Sequence, residues 1–492
     1  MTELTAATID RLDPRVATPA YDRSALQVGI VHFGVGGFHR AHQQVYLDAI
    51  AATGETGWGV CGVGLLPQDA AARDAAVAQD GLYTLTTNAP DGSQESRVIG
   101  TLIRYLYAPD DPAAVLDVLT AESTRIVTLT ITEGGYGVDD ATGEFDPHDE
   151  LTLRDLAGAN PPHSAFGYLT EALRLRRDRG IPPFTVVTCD NIQGNGHVAK
   201  KAVVAFARSR DSQLAEWIDA TVSFPCSMVD RITPAPTAQT SQAVHDAYGI
   251  DDRWALQSES FIQWVVEDEF PTGRPDLASV GVQVVPDVEP YELMKLRLLN
   301  ASHQAMCYLG LLDGQTWVHD VCQDPVYVAF LRRYMDAEAM PTLQPVPGVD
   351  LPAYCDQLIE RFAGEAVRDT LERLAVDGSD RLPKFVLPVL RHQLAAGGPI
   401  DCCVLVLAAW SRFLEGGLGE NARTVNDRRA GQLLPLAAQE RTRPGALLEF
   451  TPVFADLAGD QRFVTSYLAA RAELASHGPR ATMQAVLQNL AP

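Results

Sequence analysis

The fold turns on how one stretch is read: Val28-Gly29-Ile30-Val31-His32-Phe33-Gly34-Val35-Gly36-Gly37-Phe38-His39. Val28 to Phe33 is apolar enough for a buried strand. Gly34 to Gly37 breaks it. Phe38 to Ala52 then predicts a helix, with Val45, Leu47 and Ile50 among its apolar positions. Strand, glycine turn and helix are the local context of a dinucleotide fingerprint. Gly34 permits the tight turn, and Gly36 permits backbone to approach a pyrophosphate. The helix start offers unsatisfied N–H groups to its oxygens. Val35, Gly37 and Phe38 complete the candidate cofactor-binding segment. The third glycine of the fingerprint is missing. Position 39 is histidine, so helix and strand must pack differently there.

A second short strand is expected over Trp58–Gly64. An acidic residue after it should accept the ribose hydroxyls of NAD. Asp69 is the candidate. It lies farther from Gly34 than the usual spacing of about 20 residues, and the long connection around Thr53–Gly57 absorbs the difference. A carboxylate there repels a 2′-phosphate and so favours NAD over NADP. The plainer role for Asp69 is to cap a helix over Ala70–Ala78, and the two roles are compatible.

Farther along, Leu82–Thr87 and Arg97–Leu102 flank Asp91-Gly92 and predict an antiparallel pair. Asp111–Leu119, Ser164–Arg177 and Val198–Arg208 read as helices, and Arg125–Thr132 and Phe184–Cys189 as strands. This alternation indicates an α/β domain with a largely parallel sheet, assigned to residues 1–285. From 286 to 492 the texture is helical. Helical patterns run over Tyr291–Leu312, Pro325–Ala337, Leu351–Phe362, Arg368–Val376, Leu387–Leu394, Cys402–Leu414, Phe463–Ser476 and Arg480–Leu490. Asp287, Glu289 and Pro290 supply the helix start at the boundary. The expected class is thus α/β plus all-α: an N-terminal Rossmann-type domain, then a helical C-terminal domain.

The helical half holds the residues with the sharpest chemistry. Leu293 to Tyr308 has apolar side chains on every side and no helix breaker, so it should be buried. Yet it carries Lys295, Asn300 and His303. On an ideal α-helix Asn300 lies about 140° and His303 about 80° around the axis from Lys295, one broad sector over about 12 Å of rise. A buried amine is costly without partners or a task. Either Lys295 keeps its head in water at a helix edge, or it is a desolvated general base.

The chain has 492 residues, 46% hydrophobic and 21% charged, with formal net charge −24. That length calls for more than one core. The charge argues against nucleic acid and against an anionic membrane surface. None of the eight cysteines forms a CxxC pair, which points to a reduced, cytoplasmic protein rather than a disulfide framework or zinc site. The first fifteen residues have no apolar segment of the signal-peptide kind. No wholly apolar run is long enough to span a bilayer. His39 and His42 lack the context of a metal pair, so no metal is expected. The oligomeric state is left open, a monomer included.

Several further stretches carry a family resemblance. They are His32 to His42, Thr130-Ile131-Thr132-Glu133-Gly134-Gly135-Tyr136, Cys189-Asp190-Asn191, Phe224 to Pro234, Lys295 to His303, and Asp377 to Phe385. On these the chain resembles the polyol-specific long-chain dehydrogenases over nearly its full length. The resemblance implies a Rossmann-type domain, a helical domain and an active site between them. It implies metal-free, NAD-dependent oxidation of a sugar-alcohol hydroxyl to a ketose, run in either direction. By motif match Lys295 is the general base, and Asn191 and Asn300 form the oxyanion-stabilising pair. His303, Asp230, Arg373 and Arg381 are implied substrate contacts. Position 381 is often lysine in this family. Glu133, at a strand's C-terminal edge in a glycine-rich turn, is a candidate proton relay. The substrate the resemblance implies first is D-mannitol, oxidised to D-fructose, with D-arabinitol, D-sorbitol or a hexuronate such as fructuronate as alternatives. A carboxylate-bearing substrate would call for one more cation. A catalytically silent NAD-binding protein is the reading from another class. It has no need of a buried amine.

Overall fold

The computed structural model describes residues 2–138, 143–365, 368–417 and 424–488. They form two compact units. The first runs to Glu289 without Pro90–Gly92, and the second comprises Pro290 onward with Pro90–Gly92.

Five parallel strands centre the first unit: β1 (Val28–Phe33), β2 (Gly59–Gly64), β3 (Leu102–Tyr107), β4 (Ile126–Leu129) and β5 (Thr185–Thr188). Their spatial order is β3-β2-β1-β4-β5. The chain winds from β1 to one side, then returns to the other, so the order reverses between β1 and β4. This is the Rossmann-type topology that the glycine turn predicted. Val31, Phe33, Val63, Val127, Leu129 and Val186 pack on one face with Phe166, Val203 and Phe206. Ile30, Val60, Ile126 and Val187 pack on the other with Tyr46, Leu47 and Ile50. Burial on both faces explains why the strands read as almost continuous apolar runs.

The expected hairpin exists, pairing Tyr83–Asn88 with Gln94–Ile99. Its second strand was expected to reach Leu102, but pairing ends at Ile99. The Gly100 N–H donates to the buried Asp48 carboxylate at 3.0 Å, and Leu102 opens β3 in the other sheet. Leu256–Glu259 completes a three-stranded sheet on this hairpin. Another is built from Gln283–Val285, Gln263–Glu267 and Ser227–Asp230.

In the second unit the helix expected over Tyr291–Leu312 is not uniform. It starts at Glu289, where Asp287 accepts the Glu289 N–H at 2.9 Å. It is α-helical to Met294, π-helical over Lys295–Asn300 and α-helical again over Ala301–Leu312. The expected Pro325–Ala337 helix likewise passes from α at Pro325–Arg333 to a π turn at Tyr334–Ala339. Arg368–Val376 shrinks to one turn, Leu371–Leu374, because Thr370 caps its start and Asp377 takes a left-handed φ of 51° after its end. Leu351–Phe362 forms as expected. Asp401–Glu415 is buried along almost its whole length and packs on Ala301–Leu312 and Gln461–Gln488. The last segment joins the two expected C-terminal helices across a kink at Gly478. Leu490, the expected end, lies outside the described residues. Among the described residues no helix is long and apolar enough to cross a membrane.

The packing of β1 against the following helix answers the missing glycine. Instead of one helix over Phe38–Ala52 there are two, α1 (Gly37–Ala41) and α2 (Gln43–Ala52). They part at His42, whose φ of −119° and ψ of −86° are not helical. His42 Nε2 lies 2.8 Å from the carbonyl of Gln263, which fixes the break. His39, wholly buried, stacks flat on His32 of β1, with centroids 3.3 Å apart and planes 8° apart. Two thin rings thus fill the gap that a glycine would close.

A directional hydrogen-bond chain sets the tautomers. Thr101 donates to Gln44 Oε1 at 2.6 Å, and the Gln44 amide donates to His39 Nε2 at 3.0 Å. His39 Nδ1 then donates to Gln43 Oε1 at 3.3 Å, and the Gln43 amide to His42 Nδ1 at 2.9 Å. Every link uses neutral groups. Burial pushes His32 down to about 3 from 6.5. Burial first, then the neighbouring His32, holds His39 well below its usual range.

The sign of the pH effect follows. Below pH 6.5 the unfolded chain takes up protons that the folded stack refuses, so stability falls on acidification toward pH 3. Each histidine contributes at most about 1.4 kcal/mol per pH unit. His39→Phe should flatten this acid slope by about one proton. It should also cost roughly 1–3 kcal/mol at neutral pH by stranding the two glutamine amides. Denaturation midpoints measured from pH 7 to pH 5 check both; an unaltered slope would clear the stack of any part in acid sensitivity.

Candidate functional site

The C-terminal ends of the parallel strands carry the first group of candidate residues. Gly34 ends β1 with a φ of +89°, and a Cβ there would sit 2.0 Å from the Thr130 carbonyl oxygen. Only glycine fits. Its own carbonyl accepts from the Gly36 N–H at 2.7 Å and from Thr130 Oγ1 at 2.6 Å, and His32 Nε2 lies at 3.1 Å. The turn is therefore bound to the end of β4, at the point where strand order reverses. Gly36 differs. Its φ of −87° suits any residue, and a Cβ would meet nothing closer than the Gly34 oxygen at 3.8 Å. Neither conformation nor internal packing calls for glycine at 36. Open space over backbone is what a group laid against the turn would use. Val35 is buried beside β2, and Phe38 stacks on His42 at 4.9 Å.

Asp69 opens α3 (Asp69–Ala78) just past β2. Its Oδ2 accepts the N–H groups of Leu65 and Leu66 at 2.8 and 2.9 Å. It thus closes the β2–α3 turn rather than acting as the N-cap, which is Gln68. No described hydrogen bond reaches Oδ1, which leaves one carboxylate oxygen for a hydroxyl.

Beyond β4 and β5 a second turn is assembled. Asp190 accepts the N–H groups of Ile131 and Thr132 at 3.0 and 3.1 Å and the Tyr136 hydroxyl at 2.7 Å. Thr132 holds φ 65° and ψ 162°, a region open almost only to glycine. Glu133 follows and opens a short 3-10 turn, Glu133–Tyr136; its side chain lies outside the described residues. Asn191 is exposed, next to Asp190. Asn195, wholly buried, donates to the carbonyls of Thr188, Asp190 and Ser227. It ties the β5 end to the strand whose last residue is the buried Asp230. Asp190 and Asn195 are supports that sequence reading passed over. Nothing in their spacing distinguishes them from ordinary turn residues.

The second group lies on one helix of the other unit. Lys295 is 8% exposed and Glu292, three residues earlier, 6%. That buried carboxylate was not singled out from sequence either. In the π turn the Ala301 N–H bonds to the carbonyl of Leu296, five residues back. Residues five apart therefore lie over one another. Lys295 and Asn300 share a face, where an ideal α-helix would part them by about 140°. His303, three residues on in regular α-helix, continues that face. Asn300 Oδ1 is buried and no described residue hydrogen-bonds to it. The His303 ring lies 4.9 Å from Phe362.

Arg381 and Gln304 both donate to the Leu374 carbonyl, at 3.0 and 3.1 Å. This draws Arg381 toward the same helix. Arg373 is 56% exposed and forms a two-point ion pair with Asp369 at 2.5 and 2.6 Å. Among the described residues no group of three or more His, Cys, Asp or Glu side chains is placed to hold a metal.

Comparison with known proteins agrees with both units. Residues 28–279 match the model of the mannitol dehydrogenase Rossmann domain, and residues 287–475 that of the mannitol dehydrogenase C-terminal domain. A mannitol 2-dehydrogenase of Phaeosphaeria nodorum is 41% identical over 475 residues, 95% of this chain and 83% of its own length. The Pseudomonas fluorescens mannitol 2-dehydrogenase, solved as a ternary complex with NAD and D-mannitol, is 43% identical with a TM-score of 0.89 over 99% of each chain. A D-sorbitol dehydrogenase in substrate-free form is 36% identical, with a TM-score of 0.90 over 98% of this chain and 100% of its own.

The two glycines should respond differently to a methyl group. Gly34→Ala should lose at least about 2 kcal/mol, from the left-handed φ and the clash with Thr130. Gly36→Ala should stay within about 1 kcal/mol of the native chain. Chemical denaturation of the two variants side by side decides whether position 36 is reserved for something other than the fold.

Proposed function

The chain belongs to the mannitol dehydrogenase family, and from that premise we propose that it interconverts a polyol and a ketose with NAD, D-mannitol and D-fructose first. The observation that carries this reading is the pairing of a buried lysine with an asparagine on one face of the π turn. NAD, when bound, supplies the hydride acceptor. Gly34 to Phe38 and the unengaged Oδ1 of Asp69 are the groups that would hold it.

The remaining work falls to side chains of this chain. Lys295 takes the hydroxyl proton, the task of a general base. The side-chain amides of Asn191 and Asn300 donate to the oxygen as charge develops on it, without adding charge of their own. One such donor is worth about 10²–10³ in rate. His303 holds a neighbouring hydroxyl or orients the lysine. Glu133 passes the proton on toward water. Glu292, a buried carboxylate three residues before Lys295, is the nearest acidic residue along the helix. Asp230, Arg381 and Arg373 are the further substrate contacts.

Another polyol, D-sorbitol or D-arabinitol, would need only different hydroxyl partners, and the likeness to a D-sorbitol dehydrogenase keeps it in view. A hexuronate such as fructuronate needs in addition a cation for its carboxylate; Arg373 is paired with Asp369, and Arg381 is the other candidate. NADH formation from mannitol, sorbitol, arabinitol and a hexonate separates these substrates.

Two expectations test the assignments. Lys295→Ala should cut turnover by about 10³ or more while NAD still binds. In the native enzyme, oxidation needs the free amine and should rise with pH, whereas ketose reduction needs the ammonium and should fall across the same midpoint. Parallel profiles in the two directions would remove Lys295 as the base. Asp69→Ala should weaken NAD and improve the relative use of NADP; an unchanged ratio of kcat/KM values would take Asp69 out of the cofactor site.

A further inference from the structure

Lys295 and Asn300 share a face only because one turn of their helix is wound wider than the rest. We propose that Tyr334 is a positioning residue for the reaction, its hydroxyl keeping that turn wide and Lys295 over Asn300. The proposal rests on the reading of Lys295 and Asn300 given above.

In an α-helix the Arg297 carbonyl would accept the N–H of Ala301, four residues on. Here that N–H goes to Leu296 instead. The Tyr334 hydroxyl donates to the Arg297 carbonyl at 2.9 Å. A part-buried carbonyl that loses its helical donor is best satisfied by another, and Tyr334 supplies one from outside the helix. Tyr334 is 0% exposed. Burial holds its phenol well above the usual range, so it remains a donor at every working pH.

The tyrosine is itself held firmly. It opens the second π turn, Tyr334–Ala339, whose carbonyls are also met by side chains. Gln393 donates to the Glu338 carbonyl at 2.6 Å, and Thr342 Oγ1 to the Ala339 carbonyl at 2.7 Å. The Glu338 carboxylate accepts the N–H groups of Cys402 and Cys403, at 2.6 and 2.9 Å, at the start of the Asp401–Glu415 helix. The first turn returns the link, because Arg297 Nη1 donates to Thr342 O and Oγ1 at 2.5 and 3.0 Å. Two wide turns brace each other, and the outer one is fixed to a buried helix. Without the Tyr334 hydroxyl, the Arg297 carbonyl is best satisfied by taking back the Ala301 N–H. That narrows the turn by one residue and swings Lys295 about 100° relative to Asn300.

The test is Tyr334→Phe in the full-length enzyme, which keeps the ring and removes the donor. Lys295→Ala is assayed beside it, in both reaction directions. The expected result is a kcat lower by roughly 10- to 100-fold, the cost of a misplaced reacting group. KM for NAD should stay within about twofold, and the pH midpoint of oxidation should move by about half a unit or more as the lysine's surroundings change. Native kcat and an unmoved profile in Tyr334→Phe, with Lys295→Ala inactive, would overturn the brace and leave the base standing. An active Lys295→Ala would overturn both. Should Tyr334→Phe fail to fold, Thr342→Val decides. It removes one of the two Arg297 bonds and the hydroxyl on the Ala339 carbonyl while keeping the bond to the Thr342 carbonyl, so a kcat lower by roughly 3- to 10-fold with the same direction of pH shift supports the proposal, and an unmoved profile overturns it.

Discussion

A helical turn closed over five residues instead of four is the constraint on which the proposed roles of Lys295 and Asn300 depend. Wide turns are rare because regular α-helix closes its hydrogen bonds better. One that persists needs donors from outside for the carbonyls it displaces. This chain provides them twice over, from Tyr334 to the first turn and from Gln393 and Thr342 to the second. The return is geometric. Lys295 and Asn300 come onto one face without any change in the helix to either side, and His303 follows them. A straight α-helix would bury the same apolar residues and face the amine elsewhere.

The first unit solves a related problem by other means. Backbone must be left open at the strand ends, yet held still. Gly34 achieves the bend with no side chain, and its carbonyl is anchored by the Gly36 N–H and the Thr130 hydroxyl. Thr132 sits where only glycine is comfortable, and Asp190 holds the N–H groups of Ile131 and Thr132 that lead into that strain. In both places an unfavourable conformation survives because buried partners leave the backbone no better alternative.

Much of this was legible in the sequence, for identifiable reasons. Strands buried on both faces are unbroken apolar runs, so β1 and β4 declared themselves, and Gly34 marked the turn because no other residue tolerates it. The buried setting of Lys295 followed from apolar neighbours on every side. The π turn was not legible, because Leu296, Arg297 and Leu298 are ordinary helix formers whichever carbonyl their N–H groups choose. The choice is made by Tyr334, a tertiary partner. Asp69 was foreseen after β2, but its grip on Leu65 and Leu66 was not, since a carboxylate closing its own turn looks the same in sequence as one awaiting a ligand. The short helix at Leu371–Leu374 failed its longer forecast because capping by Thr370 overrides an apolar pattern. The break at His42 depends on a carbonyl more than two hundred residues away.

The groups that hold these conformations have a common character. Around the glycine turn they are threonines, glutamines and two histidines that burial keeps uncharged. Around the π turn they are a tyrosine, a threonine and a glutamine, with Arg297 as a cation; Glu338, whose carboxyl burial pushes up, is the titratable exception and holds the outer turn rather than the one that carries Lys295. Asp190 is a carboxylate, but three donors surround it. A reaction that shuttles a proton changes the charge at its centre in every cycle. Supports that titrated in the same range would shift as that charge came and went, and the geometry would follow. Supports that keep one protonation state across the working range would let Lys295, as the proposed base, change charge while the backbone around it stays fixed. Here they also place charge where the chain as a whole, at a net −24, would not lead one to look for it. Lys295 is flanked in sequence by Leu293, Met294 and Leu296, three residues after one buried carboxylate, and is set by a turn held by neutral side-chain donors.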